Sequence, residues 1–232
     1  MLIMHYIMHG CPTVFILENV EALVVSFTDS FHELVMFLRQ VNNNMYEVHW
    51  KILDACLYSS LPQRRPRVFI IGFKRTRMVQ PFSWPQMVQS VRLGSLLDAR
   101  VGGLEEFAQQ SLTHQRNILK AMSLQTAAPD TDDAMQVADV GGSRLSLCTP
   151  DLAPSSTATR TASKGFWLLN RNRPLSMPEL MRLQGMDPER MPGWEAVVSE
   201  RQMGHIVGNA INVKLFARLM REVLLTIGRP VK

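Results

Sequence analysis

The chain has 232 residues, 46% of them apolar and 19% charged, a globular balance that excludes a disordered or collagen-like chain. Its 25 Lys and Arg against 20 Asp and Glu leave a net charge of +5, which permits an acidic partner such as nucleic acid without requiring one. Three cysteines (Cys11, Cys56 and Cys148) are odd in number and lack metal-ligand spacing. They exclude a disulfide framework and a Cys-rich zinc site, and point to a reducing compartment.

No apolar run reaches the roughly 18 residues of a membrane-spanning helix. Met1 to His9 is apolar but has neither a basic leader nor a small-residue cleavage site, so it reads as a core helix entered partway through rather than a signal peptide. His5 and His9 stand one helical turn apart with no third ligand, which favours a core or solvated pair over a metal site.

Two short apolar runs, Val14–Leu17 and Val68–Ile71, suit strands buried on both faces of a mainly parallel sheet. Between them Phe31, Leu34, Val35 and Leu38 follow helical spacing over Ser30 to Gln40, and Tyr46 to Trp50 reads as a third strand. Strands alternating with helices predict an α/β class. From Gln86 the chain becomes irregular. Leu104 to Met122 reads as one amphipathic helix, followed by an acidic small-residue stretch (Ala127 to Gly142) and a Ser/Thr/Pro-rich segment (Cys148 to Ser163). Beyond Phe166, Ser176 with Glu179 and Ser199 with Gln202 form capping boxes, Gly185 stops the first of these helices, and Ile211 to Ile227 forms a last helix ended by Gly228 and Pro230. The predicted organisation is thus 1–85, 86–165 and 166–232.

Four segments carry candidate chemistry. In Glu18-Asn19-Val20, a glutamate ends a buried strand at the sheet edge where ligands of open α/β sheets bind, and can exchange a proton with a ring nitrogen or exocyclic amine. Pro62-Gln63-Arg64-Arg65-Pro66-Arg67 leads into the second buried strand; Arg65 and Arg67 share a face of an extended segment and form a fork for an oxyanion or carbonyl. The window Arg64 to Arg77 holds six basic residues in 14 and no acid, and its later members also suit an edge strand kept soluble by charge. The third segment runs from Arg173 to Gly185 and contains Glu179, Arg182 and Gln184. In the fourth, Gly208-Asn209-Ala210 opens the last helix and offers free N–H groups to a carboxylate or phosphate.

In this order the segments resemble the C-terminal part of the DNA (cytosine-5)-methyltransferase family: Glu-Asn-Val, Pro-Gln-x-Arg-x-Arg, a variable region, Arg-x-Leu-x-x-x-Glu-x-x-Arg-Leu-Gln-Gly, then Gly-Asn-x-x-x-Val. The resemblance implies a partial Rossmann-like, S-adenosylmethionine-dependent methyltransferase sheet with a small irregular target-recognition region. It implies 1–85 as the C-terminal half of the catalytic sheet, 86–165 as target recognition and 166–232 as a helical return to the catalytic and cofactor domain. The implied reaction flips a cytosine out of DNA and transfers a methyl group from S-adenosylmethionine to C5. Glu18 would hold N3 and the exocyclic amine, and Arg67 would contact O2 and pair with Glu18. Arg65 would support the same pocket, with Asn19 as scaffold and Gln63 orienting the strand entry. Glu179, Arg182 and Gln184 would be structural, and Gly208, Asn209 and Ala210 would meet the methionine end of the cofactor. No metal is implied.

The sequence departs from the family in two motifs. Neither the cofactor turn Phe-x-Gly-x-Gly nor the Pro-Cys-Gln that carries the nucleophile occurs in it. Cys11 precedes a proline in reversed order and reads as a buried structural thiol, and Ser60 stands where a glycine is common. The chain is therefore expected to be inactive alone, with an exposed edge on the strand of Glu18, and to work with an N-terminal half or a complete methyltransferase. A catalytically dead module that binds nucleic acid or a methyltransferase is the alternative, and a tRNA cytosine-5 methyltransferase the third reading. The expected location is intracellular: the nucleus in a eukaryote, otherwise the cytoplasm.

Overall fold

The computed structural model describes residues 2–124, 135–141, 145–148, 151–153 and 165–230. The chain divides into two compact units, each drawn from separate stretches. The first comprises Met1–Asp54, Pro66–Gln86 and Ala217–Lys232, and the second Ala55–Arg65 and Met87–Phe216.

In the first unit, helix α1 (Leu2–Gly10) precedes strand β1 (Val14–Val20), helix α2 (Thr28–Asn44), and strands β2 (Tyr46–Asp54) and β3 (Pro66–Lys74). The sheet order is β1-β3-β2. The central strand β3 is buried from Arg67 to Phe73, as its unbroken apolar run requires. Both of its pairings are antiparallel, which corrects the expectation of a mainly parallel sheet. The cause is local: β2 ends at Asp54 and β3 begins opposite it at Pro66, so the chain leaves and re-enters the sheet at one end and must run back along itself. Gly72 faces Phe15 across the ladder. A Cβ there would lie 2.1 Å from the Phe15 ring, so the glycine makes room for an aromatic side chain in the core.

Helix α2 buries Phe31, Val35 and Leu38 at helical spacing. Its regular part ends at Gln40, because Val41 is extended and Asn42 and Asn43 take φ of 50° and 57°, a left-handed conformation that asparagine tolerates. Helix α1 is not the core helix the sequence suggests. Only Ile7 is buried, and Leu2, Ile3 and Tyr6 are exposed, because its apolar residues surround the helix instead of lining one face.

The second unit has a four-stranded antiparallel sheet, ordered β5 (Ser146–Leu147), β4 (Val137–Asp139), β6 (Phe166–Leu168), β7 (Arg173–Pro174). Alternation along β6 supplies two cores: Phe166 and Leu168 pack with Met177, Met181 and Val207, while Trp167 packs with Ile118, Ala121 and Ala138. The predicted single helix from Leu104 is two, α3 (Leu104–Ala108) and α4 (Leu112–Leu124). Ser111 separates them by accepting the His114 N–H through its hydroxyl and the Gln115 N–H through its carbonyl, which starts a new helix. Helices α5 (Met177–Leu183) and α6 (Glu200–Asn209) begin with the two predicted capping boxes, and Gly185 holds φ at +80° after α5. Helix α7 (Val213–Thr226), which belongs to the first unit from Ala217 onward, ends at Gly228, with φ of +67°. Residues 127–134 and 142 of the acidic stretch, and most of the Ser/Thr/Pro-rich segment, lie outside the described residues. No helix among those described is long and apolar enough to cross a membrane.

Candidate active site

In the first unit the site rests on the β1–β3 ladder. Glu18 pairs with Phe69 and Val20 with Arg67. Alternation therefore puts Glu18 and Arg67 on one face as diagonal neighbours, a separation that long side chains span. Arg67 Nε lies 3.1 Å from Glu18 Oε1, with side chains 9% and 24% exposed, and its Nη1 donates to the Pro66 carbonyl at 2.8 Å. Burial pulls the Arg67 pKa below its ordinary value, while Glu18 and then Asp54 pull it back up. Asp54 escapes sequence reasoning because it lies on β2, and only the register Leu53–Arg67 brings it close. Glu18 makes no other side-chain bond among the described residues, leaving Oε2 available. Asn19 accepts the Val20 N–H at 2.8 Å and shapes the chain's exit from β1.

Arg65 and Gln63 belong to the second unit. Arg65 is buried and donates through Nη2 to the carbonyls of Gly208 at 2.8 Å and Ala210 at 2.9 Å. Gln63 Nε2 donates to Gln184 Oε1 at 3.1 Å. Gln63 Oε1 accepts from Asn212 Nδ2, which also reaches the Leu183 carbonyl. Gln184 in turn donates to the Ala210 carbonyl. These bonds, made out of water, hold the 208–210 turn rigid. Gly208 and Asn209 close α6 instead of opening the next helix, which corrects the expectation of free N–H groups at a helix start. The segment presents carbonyls, and Arg65 binds them. Asn212 caps α7 through the Leu215 N–H at 3.1 Å.

Glu179 is fully buried and takes both Nη groups of Arg173, at 2.8 and 2.7 Å. It also accepts the N–H groups of Ser176 and Asp98. Burial alone would raise its carboxyl; the bonds from Arg173, Ser176 and Asp98 outweigh it and hold the group below its ordinary range. Arg182 pairs with Asp98 at 2.8 Å and donates to the Leu96 carbonyl. Asp98 is thus the hub of this cluster, although no spacing rule marks it in the sequence.

Cys148 is a poor nucleophile. Burial, helped by Asp139, pushes Cys148 up to about 12. Cys11 is half-buried, not buried as expected, and its Sγ contacts the Met8 carbonyl and Asn42 Nδ2. The His5 and His9 rings meet at a tilt of 48°, with centroids 4.2 Å apart.

A family model for C-5 cytosine-specific DNA methylases matches residues 1–224. The chain belongs to this family. It is 30% identical over 205 residues to the Type II methyltransferase M.NgoBI of Neisseria gonorrhoeae, covering 87% of this chain and 58% of that protein. It is 27% identical over 225 residues to the Type II methyltransferase M.DsaV of Dactylococcopsis salina, covering 92% and 57%. The chain therefore spans somewhat over half the length of these methylases. Its fold resembles that of a putative DNA modification methyltransferase from an E. coli prophage, with a TM-score of 0.59, 14% identity, and coverage of 98% of this chain and 74% of that one. It also resembles the S. pombe Dnmt2 methyltransferase, with a TM-score of 0.57, 17% identity, and coverage of 92% and 66%.

The methylase fold implies S-adenosylmethionine. The carbonyls of Gly208 and Ala210 are occupied by Arg65 and Gln184, while Asn209 is exposed with no side-chain partner among the described residues. A rigid turn with one available amide fits one wall of a cofactor site.

Proposed function

We propose that residues 1–232 act as the C-terminal part of a DNA cytosine-5 methyltransferase, with Glu18 and Arg67 forming the part of the target pocket that reads and activates a flipped cytosine. The observation that carries this reading is their half-buried ion pair, which leaves one Glu18 oxygen available. Attack at C6 drives electron density toward N3. A carboxyl sharing a proton at N3 and accepting from the exocyclic amine neutralises that charge. Arg67 holds Glu18 in orientation and offers a remaining N–H to O2. S-adenosylmethionine, when bound, supplies an electrophilic methyl group, and Asn209 on its fixed turn would meet the methionine end. Residues 86–165 would select the target sequence in the major groove, with their cations on phosphates. The protein would work on DNA inside the cell.

On this reading the chain alone transfers no methyl group, since no Pro-Cys-Gln occurs in it. A complementing half would bring the thiolate and the glycine turn. Two features of the first unit support such a partner. Strand β1 is at the edge of its sheet, with no further strand beside it among the described residues. Next to it, Ile3, Met4, Ile16, Leu17, Leu23 and Leu34 line a largely apolar cleft of about 360 Å³ that reaches Glu18. The missing nucleophile also supports a second reading, a module that binds DNA without chemistry.

The test is a chimera of the M.NgoBI N-terminal portion joined in frame to this chain. We expect methyl transfer to duplex DNA, and its loss to background in Glu18→Ala and Arg67→Ala variants that keep the parent's thermal midpoint within a few degrees. Full activity in either variant would refute the pocket assignment.

A further inference from the structure

A second feature of the first unit lies at the opposite end of the sheet from Glu18. Thr13, just before β1, and the single turn Arg75–Arg77, just after β3, border a cleft of about 530 Å³ closed by Val79, Gly228 and Arg229. Glu18 is four residues farther along β1 than Val14, about 13 Å at strand rise. The cleft is therefore separate from the candidate active site.

Its walls are fixed by main-chain bonds. Lys74 N–H donates to the Thr13 carbonyl at 2.9 Å, and Val79 N–H to the Thr226 carbonyl at 2.8 Å. Gly228 N–H reaches the Leu225 carbonyl and Arg229 N–H the Leu224 carbonyl, the paired bonds of a Schellman ending. Together these donors occupy the last carbonyls of α7, which would otherwise repel an anion. Arg77 and Arg229 thus project from anchored backbone. Neither side chain makes an ion pair or hydrogen bond among the described residues, and none of the lining residues is acidic. The neighbouring Arg75 differs: it is held by Glu47 at 3.2 Å and by the Asn44 carbonyl. Two available guanidiniums beside two threonine hydroxyls make a donor set suited to a tetrahedral oxyanion.

We propose that this cleft binds a phosphate group, through Arg77 and Arg229 with Thr13 and Thr76 as hydroxyl donors. The phosphate could belong to a DNA backbone or to a small phosphorylated ligand, and two arms separate these sources. In the first, inorganic phosphate is titrated into isotopically labelled residues 1–232 while the amide resonances of Thr76, Arg77, Gly228 and Arg229 are followed. In the second, affinity for a 20-base-pair duplex is measured against salt. Both arms are repeated with Arg77→Gln/Arg229→Gln, and with Arg77→Lys/Arg229→Lys to retain the charge. We expect saturable phosphate shifts at these amides that vanish in the Gln variant and persist in the Lys variant. Loss of two backbone contacts should also give the Gln variant roughly a tenfold smaller drop in duplex affinity between about 50 and 200 mM salt. Both changes together place a DNA phosphate in the cleft, as does the salt change alone. The phosphate shifts alone place a small phosphorylated ligand there. Neither change, in a Gln variant with an unaltered thermal midpoint, overturns the proposal.

Discussion

Ser60 holds φ at +63°, a left-handed conformation that costs a residue with a Cβ about 1–2 kcal/mol. Glycine adopts it freely but loses about 0.5–1 kcal/mol more chain entropy on folding. Ser60→Gly should therefore raise unfolding stability by up to about 1 kcal/mol, and Ser60→Val should lower it, as chemical denaturation of the chain would read. Equal stability of all three proteins would show that the turn carries no strain. The sequence marks this position, because a glycine is common there in the family. At Cys148, a thiol pushed up to about 12 has a thiolate fraction of about 10⁻⁴ at pH 8, against about a quarter for an ordinary thiol. Its alkylation by iodoacetamide in the folded chain should be about 10³-fold slower than in the unfolded chain, and mass spectrometry of timed samples would measure it. Comparable rates would place Cys148 in water. The sequence around Cys148 has no metal-ligand spacing, but its burial comes from packing against the core that holds Val137, Phe166 and Leu168 and cannot be read from neighbours in sequence.

Among the elements, α5 has the clearest sequence signal, and its capping box is present. Beyond the cap, the Glu179 carboxylate is joined by Arg173 from β7 and by the Asp98 N–H. Its pKa lies below the ordinary 4.5, so the unfolded chain binds the proton more readily. The carboxylate's contribution to stability is complete above pH 4.5 and is lost as the pH falls through the lower folded value. Glu179→Gln should be less stable than the parent at pH 7, by about 3–5 kcal/mol for an orphaned buried partner, and the gap should narrow below pH 4.5. A gap constant from pH 7 to pH 3 would mean that the carboxylate is not what the cluster stabilises. Strand direction and partner depend on contacts distant in sequence, unlike the elements themselves. Apolar runs locate β1 and β3 but do not state that β3 returns beside β2. Likewise, Gly208-Asn209 reads as a helix start until Arg65 is seen to hold its carbonyls.

Across the whole molecule, the Glu18–Arg67 ion pair implied by the motif order is present, because a fixed register carries local sequence into a diagonal contact. Asp54 and Asp98 complete the two charge clusters from distant positions with no motif of their own. The chain has the Glu18–Arg67 pair that we propose reads a flipped cytosine, and its sequence contains no Pro-Cys-Gln. The most direct measurement is radiolabelled methyl transfer from S-adenosylmethionine to unmethylated duplex DNA, with transfer RNA as a parallel substrate. It would be made on this chain alone, on the separately expressed N-terminal portion of M.NgoBI alone, and on the two mixed. Transfer to DNA is expected in the mixture only. Transfer by this chain alone, or none in a mixture whose halves are folded and associated, would contradict the proposed role as the C-terminal part of a methyltransferase.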